Sequence, residues 1–221
     1  MAAKLDRAQV VDAALRLLDE VGLEGLTLRR IAAELDVKAP ALYWHFAAKQ
    51  ELLDELATEM IRRMVAAAEL PAEDAPWPEH LTAACRVLRR ALLGHRDGAR
   101  VFSGTRLTDT GHAAVLERQL EPFVRDGFTL PEAVDAYFTA YSFTVGFVIE
   151  EQAVHPLPGE RAPGYDAAER AERIGPDHPL AAAAGADIFD GYERRFERGL
   201  AIVTAGVAAL ARQRPEPGAR A

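Results

Sequence analysis

Apolar residues recur at three- and four-residue spacing along almost the whole chain, and no alternating pattern with hairpin turns interrupts them. That restricts the 221 residues to an all-α fold. Val10, Val11, Ala14, Leu15, Leu17 and Leu18 form one stripe opposite charged positions, which predicts a helix over about residues 6–21 capped by Gly22. Thr27 is a suitable N-cap for a second helix, Leu28 to Leu35, that buries Ile31, Ala32 and Leu35. Arg30 stands where a capping box would need Glu or Gln. A tight Asp36-Val37-Lys38 turn follows, then a third helix from Ala39 through His45, with Pro40 in the first turn where it is tolerated. A fourth helix starts near Lys49 and ends before the Pro71–Pro78 break. Further helices are expected at about 78–94, 96–102, 108–126, 130–153 and 186–213. The stretch 155–180, rich in Pro and Gly, reads as a loop with a short helix near 166–173, and 214–221 as a frayed tail.

Two short helices joined by a tight turn form a helix-turn-helix, although amphipathic helix pairs also occur as plain packing units. In the DNA-binding use of this motif the first helix braces on the backbone and the second enters the major groove. Arg29 and Arg30 open the bracing helix, within reach of phosphates or a guanine edge. Lys38 and Lys49 flank the recognition helix as phosphate-directed charges. Tyr43 and His45 can donate to phosphates, and Trp44 can pack on the sugar–phosphate wall or into the core.

A net charge of −8 looks wrong for a nucleic-acid partner, so its distribution matters. Residues 1–49 carry seven basic and seven acidic side chains, so the whole excess lies in residues 50–221. DNA would repel that acidic body and favour docking through the N-terminal end. Cys85 is the single cysteine, which excludes an intramolecular disulfide and a cysteine zinc cluster; it reads as a small buried hydrophobe. No long uncharged apolar run marks a membrane span and no signal core precedes the first helix, so the expectation is a cytoplasmic protein without a membrane partner.

Thr27-Leu-Arg-Arg-Ile-Ala-Ala-Glu-Leu-Asp-Val37, Ala41-Leu-Tyr-Trp-His-Phe46 and Lys49-Gln-Glu-Leu-Leu53 together resemble the DNA-binding signature of the TetR family of transcriptional repressors. Ala91-Leu-Leu-Gly-His-Arg-Asp-Gly-Ala-Arg-Val101, Gly104-Thr-Arg106, Leu116-Glu-Arg-Gln-Leu120 and Gly127-Phe128 resemble its tetracycline repressor subgroup, as do Phe143-Thr144, Gly146 and Glu150. The resemblance implies a DNA-binding head (1–49) and a helical ligand-binding and dimerisation domain (50–213). It implies a homodimer joined by an intersubunit four-helix bundle, with operator DNA and a small-molecule effector as partners. The implied DNA contacts fall on Arg29, Ala39, Pro40, Ala41, Tyr43, Trp44, His45 and Lys49. Ala39 and Ala41 depart from the polar base-reading residues of the subgroup, which implies a different operator.

The resemblance also locates a ligand site at Val65, Ala84, Leu88, Phe102, Thr105, Arg106, Gln119, Val134, Phe138 and Glu150. The tetracycline repressors hold a drug–magnesium chelate, and Thr105, Gln119 and Glu150 match residues they use. Phe102 stands in place of the metal-ligating histidine, Val65 of a drug-gripping histidine, Ala84 of an asparagine and Leu88 of a phenylalanine. Magnesium wants oxygen or nitrogen donors, so no metal or cofactor is expected, and the effector should be largely apolar. The same apolar residues could instead simply fill core. The last helix offers Phe189, Phe196, Leu200, Val203, Val207 and Leu210 as a dimer seam, with Gly199, Ala205 and Gly206 permitting close approach.

Enzyme signatures are weak. His95-Arg96-Asp97 copies a kinase catalytic-loop triplet, but no Gly-rich phosphate loop or Asp-Phe-Gly accompanies it. The six histidines include no His-x-x-x-His pair. A helical protein that handles small molecules or lipids without binding DNA is the alternative from a different class.

Overall fold

The computed structural model describes residues 5–212, and within them every regular element is helical. The N-terminal unit comprises α1 (Arg7–Gly25), α2 (Leu28–Glu34) and α3 (Ala39–Tyr43). Asp6 caps α1 reciprocally with Gln9: each backbone N–H donates to the other's side chain, at 2.8 and 3.0 Å. The expected stop at Gly22 is real as a kink (φ 70°, ψ 174°), after which the chain makes one more turn. The Thr27 hydroxyl accepts from Arg30 N–H at the start of α2, as its N-cap position requires.

Between α2 and α3, Asp36 takes a left-handed conformation (φ 51°). Val37 N–H donates to Ala32 C=O and Asp36 N–H to Ala33 C=O. These are the paired bonds of a Schellman ending, with Asp in the place usually held by Gly. They fix the angle at which α3 leaves α2. Leu26, Ile31, Leu42 and Phe46 are fully buried beneath the pair, together with Leu52 and Leu56 of α4 (Lys49–Ala67).

The larger part contains α5 (Trp77–Leu93), α6 (Gly98–Phe102), α7 (Gly111–Arg125) and α8 (Leu130–Val154). Three short helices follow, α9 (Ala167–Ile174), α10 (Pro179–Ala183) and α11 (Gly185–Phe189), and then α12 (Tyr192–Arg212). The single helix expected over 186–213 is therefore two. Asp190 is extended and Gly191 has φ 65°, a backbone that no helix can continue through. The expected tail at 214–221 lies outside the described residues.

The dimer seam read from the last helix needs correction. Phe196 and Leu200 are fully buried inside this protomer, against Phe143 and Phe147 of α8. Val203 and Val207 join the same cluster, and Phe189 packs on Tyr165. A Cβ on Gly199 would lie 2.5 Å from the Phe143 ring, so this glycine serves the α8–α12 contact within one chain. The face of α12 left open carries Ile202, Ala205, Gly206 and Leu210, and Leu210 alone of the apolar seam residues stays on it. Helical periodicity identified an apolar face but not which partner covers it.

The corner between α5 and α6 clamps the N-terminal unit to the body. Asp19 of α1 accepts from Arg96 N–H and contacts His95 Nδ1, while Arg96 Nε donates to Asp19 C=O. Asp97 accepts from Leu23 N–H at 2.8 Å. Gln152 of α8 locks the corner from beneath, donating to Leu92 and His95 carbonyls and accepting from Ala99 N–H. The kinase-like triplet is thus a structural joint.

Candidate nucleic-acid interface and cavity

The outer face of α2 and α3 has the make-up of a polyanion-binding surface. Arg29 and Lys38 are exposed and, among the described residues, their side chains make no ion pair or hydrogen bond. Tyr43 is 54% exposed and Trp44 90% exposed. An indole that bare has no packing role, which removes the core alternative for Trp44. Arg30 is exposed but donates to Gly25 C=O. Pro40 is exposed at the start of α3, whereas Ala39, Ala41 and His45 are half-buried. Lys49 differs from the expectation of a free phosphate contact. Its Nζ donates to Leu23 C=O at 2.8 Å, securing the start of α4 against the end of α1.

A cavity of about 210 Å³ lies between α4, α5, α6, α7 and α8. Val65, Ala84, Leu88, Phe102, Gln119 and Phe138 line it, as the sequence predicts. Thr105, Arg106, Val134 and Glu150 do not. The Thr105 hydroxyl donates to Phe102 C=O, closing the end of α6. The Arg106 side chain is exposed, and its backbone N–H donates to Asp54. Val134 is half-buried one turn before Phe138. Glu150 lies twelve residues beyond Phe138, about 18 Å along α8 at 1.5 Å per residue. It borders a separate groove with Tyr192 and Arg195. Sequence reading missed Met64, His112, Arg118, Tyr137 and Tyr141. Their helical spacing marks the inward faces of α4, α7 and α8, but only packing shows which inward positions meet a void.

A magnesium ion held from position 102 does not fit these walls. Phe102 offers a ring, 6.2 Å from the Tyr141 ring, where a donor atom would be needed. Among the described residues no three His, Cys, Asp or Glu side chains are grouped to hold a metal.

Burial pushes the Cys85 thiol up to about 11 from an ordinary 9.0, partly offset by a hydrogen bond with Thr144. Burial also raises the Tyr137 hydroxyl to about 12. Both groups are therefore neutral in the folded protein at neutral pH. The unfolded thiol ionises first as pH rises, so stability falls between about pH 9 and 11 as the folded thiol holds its proton. Urea titrations across that range should show a falling midpoint, and Cys85→Ala should flatten the fall. Identical slopes in the two proteins would contradict the assignment.

Helix α4 connects the exposed face to the cavity. Near its start, Glu51 and Glu55 pair with Arg7 of α1. Further along, Thr58 accepts from Thr108 N–H and Arg62 pairs with Asp109. These contacts hold the segment that leads into α7. Ile61, Met64 and Val65 in the last turns wall the cavity. Each exposed ion pair is worth about 0–1 kcal/mol, so the set acts as a guide more than as an anchor.

Two family profiles match the chain: "Bacterial regulatory proteins, tetR family" over residues 10–56, and "Tetracyclin repressor-like, C-terminal domain" over residues 70–211. The chain is 42% identical over 207 residues to the tetracycline repressor protein class A from transposon 1721 of Escherichia coli, covering 93% of this chain and 91% of that protein. It is similar to the crystal structure of a possible TetR family transcriptional regulator from Streptomyces coelicolor A3(2), with TM-score 0.80 and 38% identity, covering 93% of this chain and all of that one. A structure of BioQ with its natural double-stranded DNA operator matches with TM-score 0.63 and 30% identity, over 93% of this chain and 99% of that chain.

Proposed function

Because the chain belongs to the tetR family of bacterial regulatory proteins, we propose that it is a ligand-responsive transcriptional repressor that binds a palindromic operator as a homodimer. The observation that carries this reading is the single helix α4, whose first turn anchors the DNA-facing unit and whose last turns wall the cavity. A compact, largely apolar effector pressing on Met64 and Val65 shifts α4 and, through Arg7 and Lys49, tilts α2 and α3. Two recognition helices must sit one helical turn apart, about 34–36 Å, to occupy both half-sites. A small tilt therefore breaks many phosphate contacts together. The open face of α12 supplies the dimer contact, with small residues at 205 and 206 allowing close approach.

In this reading the head is residues 1–49 and the body 50–213, and the protein works in the cytoplasm, where operator DNA is. Arg29 does most of the base reading, since Ala39 and Ala41 can offer only methyl contacts. No helix among the described residues is long and apolar enough to cross a membrane. Its relatives are named as regulators, and no catalytic role is assigned to any side chain.

A gel shift with the DNA upstream of its own gene tests the proposal: a sequence-specific shift that weakens steeply with salt is expected. No specific shift at low salt would leave a helical small-molecule binder as the surviving reading. Trp44→Ala should weaken operator binding roughly tenfold while leaving the melting temperature unchanged, because the indole touches little else. Tetracycline with magnesium should not release the DNA; magnesium-dependent release would overturn the part assigned to Phe102.

A further inference from the structure

The polar groups of the cavity have one sign and one location. Its lining includes no carboxylate, and its two basic side chains, His112 and Arg118, both come from α7. Most guanidinium groups of this acidic chain that lie near a carboxylate are tied to it, as Arg62, Arg63, Arg86, Arg89 and Arg96 are. The Arg118 side chain, exposed on one side where it borders the cavity, has no ion pair or hydrogen bond among the described residues, although Glu117 and Glu121 stand beside it in sequence. Gln119, the next residue, is only 9% exposed and its amide likewise has no protein partner. The residue is mostly buried but its amide is not sealed off, so it lies open to a ligand or water in the cavity.

His112 adds a third group. Its Nδ1 lies 2.8 Å from Asp109 C=O, and a carbonyl can only accept, so Nδ1 carries the proton of that bond. Nε2 of the neutral ring is then an acceptor, open to a donor group of the ligand. The facing wall is aromatic: the Phe102 and Phe138 ring centroids lie 6.2 and 5.7 Å from that of Tyr141. Cys85, Tyr137 and Tyr141 are held neutral by burial, so none of the three repels an anion.

We infer that the cavity takes a planar aromatic acid, its ring body against Phe102, Phe138 and Tyr141 and its anionic group on Arg118 and Gln119. This rests on the cavity being the effector site, and it narrows the effector from apolar to aromatic and anionic. A charge-assisted hydrogen bond from a guanidinium open to solvent on one side contributes about tenfold in affinity.

The test uses two fluorescent probes of nearly the same shape on the full chain. 8-Anilinonaphthalene-1-sulfonate carries an anion, and N-phenyl-1-naphthylamine lacks it. The sulfonate probe should bind about tenfold more tightly. Arg118→Gln should remove about tenfold from that probe while leaving the neutral one within twofold, which also shows that the variant is folded. Val65→Trp, which fills the cavity, should abolish both signals and so locate them. Equal binding of the two probes, an equal loss of both in Arg118→Gln, persistence of the sulfonate signal in Val65→Trp, or no binding at all would each overturn the inference. The gel shift is read separately. Loss of DNA binding with the anion preference intact would sink the repressor reading alone.

Discussion

Arg89→Met is expected to destabilise the protein by about 3–5 kcal/mol, the cost typical of removing one partner from a buried ion pair. Arg89 and Glu151 are each 7% exposed and meet through two parallel hydrogen bonds of 2.9 and 2.8 Å. A third guanidinium nitrogen donates to Glu193, and the group lies 4.9 Å from the Phe196 ring centroid. One side chain thus joins α5, α8 and α12. Burial there opposes its charge, yet the hydrogen bonds to Glu151 and Glu193 outweigh burial and hold its pKa above the ordinary value. Methionine fills much of the same space but leaves the Glu151 carboxylate buried without a cation. Arg89→Met with Glu151→Leu removes both charges and should recover most of the loss. Urea denaturation of the native, single and double variants measures this, and a single-variant cost under about 1 kcal/mol would refute it.

Gly98→Ala should cost about 3 kcal/mol, as a forced overlap in a packed site does, and lower the melting temperature by roughly 6–12 °C. A Cβ at this position would lie 2.2 Å from the Leu92 carbonyl oxygen and 3.1 Å from its carbon. Both are backbone atoms, so no side-chain rotation relieves the clash and the α5–α6 corner must open. Opening it pulls on Gln152, which holds Leu92 and His95, and on Asp97, which holds Leu23 of α1. The variant should therefore also transmit effector binding to DNA release poorly, since the same corner seats the N-terminal unit. Gly94→Ala is the control: its Cβ would approach Ala91 C=O no closer than 3.2 Å in a backbone that alanine adopts freely, and it should shift stability by less than about 1 kcal/mol. Calorimetry that finds the two variants alike would remove the corner from the account.

Local rules carried the N-terminal unit far. Thr27 as a cap, the stop at Gly22, the turn at Asp36 and the start near Lys49 depend on neighbours within four residues, and each is present in the fold. The same holds for the inward residues Leu26, Ile31, Leu42 and Phe46, because the two short helices leave one apolar face between them. The break at Gly191 was missed because the apolar spacing on its two sides happens to stay in phase, and only the positive φ separates α11 from α12.

Among the cavity residues, Val65, Ala84, Leu88, Phe102, Gln119 and Phe138 were legible through family resemblance. His112, Arg118, Tyr137 and Tyr141 were not, since nothing within a few residues of them distinguishes a side chain that meets a void from one that meets core. By itself the sequence determined an all-helical chain with a helix-turn-helix at its start, because periodicity, caps and turn residues act over one or two turns. Only the tertiary structure decided that Trp44 stands in solvent, that Lys49 is spent on Leu23, and that Phe196 and Leu200 belong to one protomer's core. It also decided that the unpartnered polar groups of α7 face an aromatic wall. Those outcomes depend on which faces separate helices cover, and that is set by packing between segments far outside one or two helical turns of each other.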